Sequence, residues 1–296
     1  MFRQTNDPGE KGILYIVGTP IGNLADISER ARRVLTEADV IAAEDTRHTR
    51  KLLNHLDIST PSVSYHEHNR LSRTAELADR LEKGERIALV SDAGMPGISD
   101  PGEDLIREAV QREIPVVPIP GPNAALSALV GSGIPPQPFA FIGFLPRQQK
   151  ERVRELEKWR LTPATLIFYE APHRVLAMLK DVESTLGDRQ AAVARELTKK
   201  HEEWLRGKVS ECRRWLEEHR PRGEFTIVVS GASEEEIREQ QTEELVWWES
   251  LSLKEHVEHY IERGHRKKEA IQQAAKDRDV PKREVYNAYH QEDEEQ

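Results

Sequence analysis

Cysteine is nearly absent. Cys212 is the only one in 296 residues, so the chain can form no internal disulfide and cannot supply the several thiolates of a zinc finger or an iron–sulfur centre. A reducing, cytoplasmic setting fits. Long apolar runs are missing too: no stretch approaches the roughly 18 residues that a spanning helix needs, and the opening MFRQTNDPGEKG lacks the apolar core of a secretory leader. The expectation is therefore a protein that neither crosses a membrane nor is exported. Nor is there an excess of positive charge, the formal net being −9. That deficit is uneven. Residues 232–296 carry 18 acidic and 10 basic side chains, leaving 34 and 33 in residues 1–231, so the main body is near neutral and has room for a local basic face.

What is present suits a globular α/β protein of about two domains. Apolar residues make up 37% and charged residues 32%, which excludes global disorder. From Gly12 onward, short β-branched runs alternate with longer amphipathic stretches. Strands are predicted at 13–17, 40–43, 62–65, 87–90 and 115–119, with helices at about 28–37, 47–56, 71–83 and 103–112. After the Pro/Gly cluster IPGPNAA the pattern restarts, with strands at 140–144, 165–170, 191–197 and 225–231 and helices at about 123–131, 148–160, 174–185 and 209–219. Domains at 1–119 and 120–232 follow. From Glu234 strand character stops, and three short helices separated by Gly264 and Pro281 form a helical tail over 233–296 that ends in the acidic QEDEEQ.

In open α/β sheets chemistry sits beyond the carboxyl ends of strands. LYIVGTPIGN (14–23) is a strand running into a glycine-bearing turn, but it has neither G-x-G-x-x-G spacing nor a G-K-[ST] ending, so nucleotide phosphate binding has little support. VSDAGMPGISDPG (90–102) is a loop so rich in Gly, Pro and Ser that it is costly to order unless it shapes a site. Asp100 within it reads equally well as helix punctuation. PIPGPNAALSALVGSG (118–133) repeats the strand, turn and small-residue helix, whose first N–H groups could hold a carboxylate. EDTRHTRKLL (44–53) sets Glu44 and Asp45 before Arg47, His48 and Arg50, either an acid-rich helix start or an anion-attracting cluster. His66 and His68 would share one strand face, but two ligands favour polar substrate contact over a metal. Glu170 with His173 and Arg174, and Arg195 and Glu196 with Lys199, repeat an acid–base pairing at strand ends. Arg147 adds a cation after AFIGFLP.

Taken in order, VGTPIGNLADIS, EDTRHTRKLL, SDAGMPGISDPG, IPGPNAA, FIGFLPR, YEAPHR and ARELTKKHEE resemble the motif series of the tetrapyrrole-methylase-like family of S-adenosylmethionine-dependent methyltransferases, and within it the branch that acts on ribosomal RNA. The resemblance spans about residues 12–231, with the tail also similar. The porphyrin-precursor branch carries G-D-P-x-x-F where this chain has SDAGMPGIS, and D-R-L where it has Glu44-Asp45-Thr46-Arg47, departures that count against a tetrapyrrole substrate.

The resemblance implies two α/β domains with the cofactor in the cleft between them, a homodimer, and methylation of the ribose 2′-OH of a decoding-centre (P-site) cytidine of 16S rRNA in the small ribosomal subunit. By motif correspondence, cofactor contacts fall at Pro20, Ala93, Gly94, Met95, Ile98, Asn123, Ala124 and Tyr169. Proton acceptance from the ribose falls to Asp45, Glu170 or Glu196, with the first two preferred. Arg47, His48, Arg50, His66, Arg147, Arg174, Arg195 and Lys199 are assigned to substrate, and Arg266, Lys267 and Lys268 of the helix-turn-helix-like tail to phosphate. No metal is implied. The alternatives are a tetrapyrrole-precursor methyltransferase and a non-catalytic nucleotide-binding module.

Overall fold

The computed structural model describes residues 3–4, 11–239 and 248–291, so most of the acidic QEDEEQ end lies outside the described residues. Two compact units result, 1–232 and 233–296.

The first unit opens with a parallel sheet built from the apolar runs β1 (Leu14–Val17), β2 (Val40–Ala43), β3 (Ser62–Ser64), β4 (Ile87–Val90) and β5 (Val116–Ile119), in the order β3-β2-β4-β1-β5. Strands buried on both faces need helices on both, and the apolar stripes supply them. Helices α1 (Glu29–Glu37) and α2 (Thr46–His55) bury Val34, Leu35 and Leu53 against Val17, Ile41 and Val90. On the other face α3 (Arg70–Glu82) and α4 (Glu103–Gln111) bury Leu77, Leu81 and Leu105 against Leu14, Val40 and Leu89.

A second sheet follows, in the order β6-β7-β10-β8-β9: β6 (Phe139–Phe144), β7 (Thr165–Glu170), β8 (Gln190–Arg195), β9 (Glu203–Lys208) and β10 (Phe225–Val229). Only β6 and β7 run parallel; the other pairings are antiparallel. Helix α5 (Ala124–Ser132) covers one face through Ala125, Ala128 and Leu129. The other face packs on α6 (Gln149–Glu157), α7 (Val175–Leu186) and α8 (Val209–His219), with Cys212 in that core. Burial pushes the Cys212 thiol up to about 11, so it stays protonated and inert.

Besides shorter ends, such as β10 stopping at Val229 and β3 at Ser64, sequence expectations change at β8 and β9. EWLRGK, assigned to no element, is the edge strand β9, and the strand expected over 191–197 ends at Arg195, because Glu196 and Thr198 take φ of +51° and +67° and turn the chain.

The second unit contains α9 (Leu253–Glu262), α10 (Lys267–Asp277) and α11 (Lys282–Gln291) around Val257, Ala270, Ile271, Ala274 and Val285. A capping box at Ser252/Glu255 starts α9, and Glu269 Oε2 accepts from Arg266 N at 3.2 Å at the start of α10. Among the described residues no helix is long and apolar enough to cross a membrane.

Candidate active site

Strand order locates the site. β1 and β4 are neighbours, and the helices that follow them, α1 and α4, lie on opposite faces of the sheet. Their carboxyl-end loops therefore diverge and open a crevice, the topological switch point where such sheets bind ligands. The loops are tied at its base: Thr19 N donates to Gly94 O at 2.9 Å, Gly94 N donates to Thr19 O at 3.1 Å, and the Thr19 hydroxyl donates to Ser91 O at 3.2 Å. Gly94 has φ +80°, a conformation suited to glycine.

The β5 loop closes in from the other side. A Cβ on Gly18 would lie 2.8 Å from both the Gly121 Cα and the Met95 sulfur, so the three loops pack directly on one another with no room for a further side chain. The second sheet completes the wall: β6 bulges between Phe141 and Gly143, and a Cβ on Gly143 would lie 3.0 Å from Ser99 Oγ. Tyr169, packed edge-on against Phe141 and Phe144 at 5.0 and 5.7 Å, accepts a hydrogen bond at its hydroxyl from Ala125 N at 3.1 Å.

The crevice is acidic. Asp92 N donates to Glu44 Oε2 at 3.3 Å and Asp45 N donates to Asp92 Oδ1 at 3.1 Å, stitching the β2 and β4 loops together. Burial raises the Glu44 pKa, and the neighbouring Asp92 and Asp45 charges add to the rise. Asp100 is pushed up to about 7 by burial, then by the charges of Glu44 and Asp92, against a hydrogen bond with the Ser91 side chain. Asp100 also bears on Tyr169, whose pKa burial raises. Among the described residues these carboxylates have no arginine ion pair of their own. Among the described residues no group of three or more His, Cys, Asp or Glu is arranged to hold a metal ion. The crowding of the carboxylates itself favours a proton or a positive charge beside them.

The family model for Tetrapyrrole (Corrin/Porphyrin) Methylases matches residues 13–213. Over 291 residues the chain is 56% identical to Ribosomal RNA small subunit methyltransferase I of Halalkalibacterium halodurans, covering 98% of each chain. It is 54% identical over 285 residues to the protein of that name from Bacillus subtilis, covering 96% of each. The chain belongs to the ribosomal RNA small subunit methyltransferase I family. It is a methyltransferase of tetrapyrrole-methylase type, with S-adenosylmethionine as its methyl donor. Among solved structures, diphthine synthase aligns with a TM-score of 0.58 over 77% of this chain and 95% of that one; at 14% identity the likeness speaks for the α/β fold alone.

Within this member of the small subunit methyltransferase I family, the residues singled out from sequence separate into two groups. Gly94 and Met95 line the glycine junction, with Pro20, Ala93 and Ile98 in the same two loops and Ile98 41% exposed. Asn123 and Ala124 open α5 beside Tyr169, but the helix N–H groups there are taken. Asn123 Oδ1 accepts from Leu126 N and Tyr169 accepts from Ala125 N, so the carboxylate cradle expected at this terminus has lost two donors. Asp100 does not cap α4, whose N-cap is Gly102 at φ +155°. His66 and His68 follow the end of β3 rather than sharing a strand face, with rings 6.0 Å apart. Buried His66 Nδ1 has no hydrogen-bond partner among the described residues, and the ring acts electrostatically on Glu44.

The remaining charges are engaged elsewhere. Asp45 caps α2, accepting from Arg47 N at 2.8 Å and pairing with the Arg47 guanidinium at 2.9 Å, which holds its carboxyl at about 2. Arg47 itself is 89% exposed, and His48 and Arg50 are exposed on the same helix. Strand alternation sends Glu170 to the α6–α7–α8 face, away from Tyr169. There its Oε1 accepts from Ala171 N and pairs with Arg174 at 3.2 Å, while Arg174 also donates to Leu145 O at 2.7 Å. Glu196 accepts from Lys199 at 2.9 Å and from Glu224 N at 3.0 Å. Lys199 also pairs with Glu224, and Arg195 with Glu203, both on the second sheet's rim. Arg147 is exposed after β6.

Two acids at the crevice had weak sequence signals. Asp92 gave none beyond its place at a strand end, and Asp100 shared its signal with helix punctuation.

Proposed function

We propose that residues 1–232 transfer a methyl group from S-adenosylmethionine to the ribose 2′-OH of a decoding-centre (P-site) cytidine of 16S rRNA in the small ribosomal subunit, as a homodimer whose subunits divide into lobes 1–119 and 120–232. One observation carries the reading: the glycine-packed junction of the β1, β4 and β5 loops at the switch point is flanked by Glu44, Asp92 and Asp100, with none of the three ion-paired to an arginine or lysine among the described residues. Glycine junctions permit close approach, and under-compensated acids complement a positively charged ligand.

The donor, when bound, supplies an electrophilic methyl group on a sulfonium, and the protein's task is orientation. Gly18 and Gly121 let the β1 and β5 loops pack together and Gly94 takes the tight turn between them and β4, with Pro20, Ala93, Met95, Ile98, Asn123 and Ala124 as the donor's surrounding contacts and Tyr169 fixing the far wall. Asp100, pushed up to about 7, ionises as the cation arrives, with Glu44 beside it. Of the acids singled out from sequence, Asp45 is held at about 2 by Arg47 and is a weak base; Glu170 and Glu196 serve neighbouring cations. The reading therefore passes proton acceptance to Glu44 acting with His66 at the β3 end. Arg47, His48, Arg50 and Arg147 meet the RNA backbone from the rim, while Arg174, Arg195 and Lys199 support that rim through carboxylates.

The deciding experiment supplies labelled S-adenosylmethionine with small ribosomal subunits lacking the modification, or with uroporphyrinogen, and maps the labelled nucleotide. Label at one cytidine ribose supports the reading. Label on the tetrapyrrole, or on a base, overturns it, and absence of calorimetric binding of the donor would leave a non-catalytic module.

A further inference from the structure

The tail is strongly acidic in total, with 18 acidic against 10 basic residues over 232–296. Its described helices nevertheless enclose a groove of about 460 Å³ between α10 and α11, lined by Lys267, Lys268, Ile271, Lys282, Tyr286 and His290 with no carboxylate among them. Positions 282, 286 and 290 fall on one stripe of α11 by the four-residue helical repeat, facing the first turn of α10, where Lys267 and Lys268 stand. The pieces differ in how far they are already used. Lys267 Nζ sits 4.5 Å above the Tyr289 ring, which packs on the tail's core. Tyr286 is 52% exposed, and its ring meets that of His290 at 4.4 Å in a T-shaped contact, so about half of the residue stays open to solvent.

We propose that this groove binds an unpaired stretch of RNA, one base stacking on Tyr286 while the phosphates on either side meet Lys267, Lys268 and Lys282. Charge complementarity sets the polyanion, and the exposed ring sets its kind. An acidic peptide would be satisfied by the lysines alone, whereas an aromatic platform beside cations suits a nucleobase with its backbone. A duplex hides its base faces in the stack, so the strand must be single or looped. The inference rests on the proposed RNA substrate and extends it: the tail would hold ribosomal RNA at a second point, raising local substrate concentration without touching the reacting atoms.

The test uses the full chain and a labelled single-stranded RNA of roughly 12 nucleotides, with a duplex of equal length and polyglutamate as competitors, followed by anisotropy. Tyr286→Ala should weaken single-strand binding roughly tenfold or more, with Tyr286→Phe restoring it. The triple change Lys267→Gln, Lys268→Gln, Lys282→Gln should flatten the salt dependence by about two in the log–log slope, at roughly 0.7 per phosphate contact. In methylation assays on small subunits, these variants should raise KM and leave kcat and donor affinity unchanged. Single-strand affinity unaltered in both variants overturns the inference while leaving catalysis standing, as does competition by polyglutamate equal to that by RNA. If the unaltered protein fails to bind donor or to methylate RNA, the broader reading has failed instead, whatever the groove does.

Discussion

The two sheets of the first unit place acids at strand ends in similar sequence contexts and treat them in opposite ways. On the second sheet three strand-end acids meet a cation, Glu170 with Arg174, Glu196 with Lys199 and Glu203 with Arg195, although burial still raises the Glu170 pKa and its Oε2 finds no hydrogen-bond partner among the described residues. Deeper, Asp181 and Arg152 form a pair with side chains only 4% and 7% exposed. On the first sheet Glu44, Asp92 and Asp100 crowd together, and burial and mutual repulsion raise Glu44 and Asp100. Compensated acids hold a fold together, while uncompensated ones cost stability until something positive or a proton arrives. The lesson is that function lies where the charge ledger of the fold fails to close.

The largest effect expected from this contrast is on the compensated side. Asp181→Ala strands the Arg152 guanidinium in a buried site, where breaking one partner of a buried pair costs about 3–5 kcal/mol. Denaturant unfolding of the first unit should show that loss, with donor affinity in the remaining folded protein unchanged. A loss below about 1 kcal/mol would mean the second sheet is not held by its charges, and the contrast would dissolve.

Asp100 sharpens it from the other side. Its carboxyl titrates near 7 folded and near the usual 3.8 unfolded, so the folded state binds the proton more tightly. Stability of the donor-free protein should therefore fall as pH rises from about 4 to about 7. Binding of a cation prefers the ionised form, so donor affinity should rise over pH 6 to 8 and level off. Asp100→Asn should flatten both profiles, weaken the donor roughly tenfold, and leave the donor-free protein more stable than the parent at pH 8. Calorimetry and thermal melts across that range read both signs. A variant that binds donor as tightly as the parent removes Asp100 from the site.

Much of this was legible in the residues. The runs LYIV, VIAA, IALV and TLIFYE declare strands by apolar content alone, and glycine-bearing ends point to the switch point because strand-end loops are where open sheets bind ligands. What the one-dimensional pattern leaves open is pairing. EWLRGK carries Glu, Arg and Lys, as an edge strand does, and so hides β9. Alternation says Tyr169 and Glu170 face opposite ways, but which face lies toward the crevice depends on where α5 docks, and that is set by contacts distant in sequence. The same holds for Asp92 and Glu44, 48 residues apart and joined only by the β2–β4 register.

Glu170 tests that alternation directly. Glu170→Gln keeps shape and one acceptor but drops the charge opposite Arg174, so it should cost about 1–3 kcal/mol of stability. Single-turnover methyl transfer should stay within roughly threefold of the parent. An unchanged melting profile with transfer cut a hundredfold would bring Glu170 back to the reacting atoms and move the catalytic charge to the second sheet.

The smallest effect belongs to Asp45, which shares the first sheet's rim but behaves like an acid of the second, fully engaged with Arg47 and the α2 terminus. Asp45→Asn keeps an oxygen to accept from Arg47 N, since asparagine caps helices about as well as aspartate, and gives up only an exposed ion pair that water and salt already screen. Melting and donor affinity should hardly move, and single-turnover transfer should remain within about twofold of the parent. Glu44→Gln, one residue earlier, should slow transfer far more because its carboxyl is turned into the half-buried cluster with Asp92. A reversal of that order, with Asp45→Asn the slower variant at full donor occupancy, would show that proton acceptance belongs to the solvent-facing carboxylate and that burial is not what selects the base.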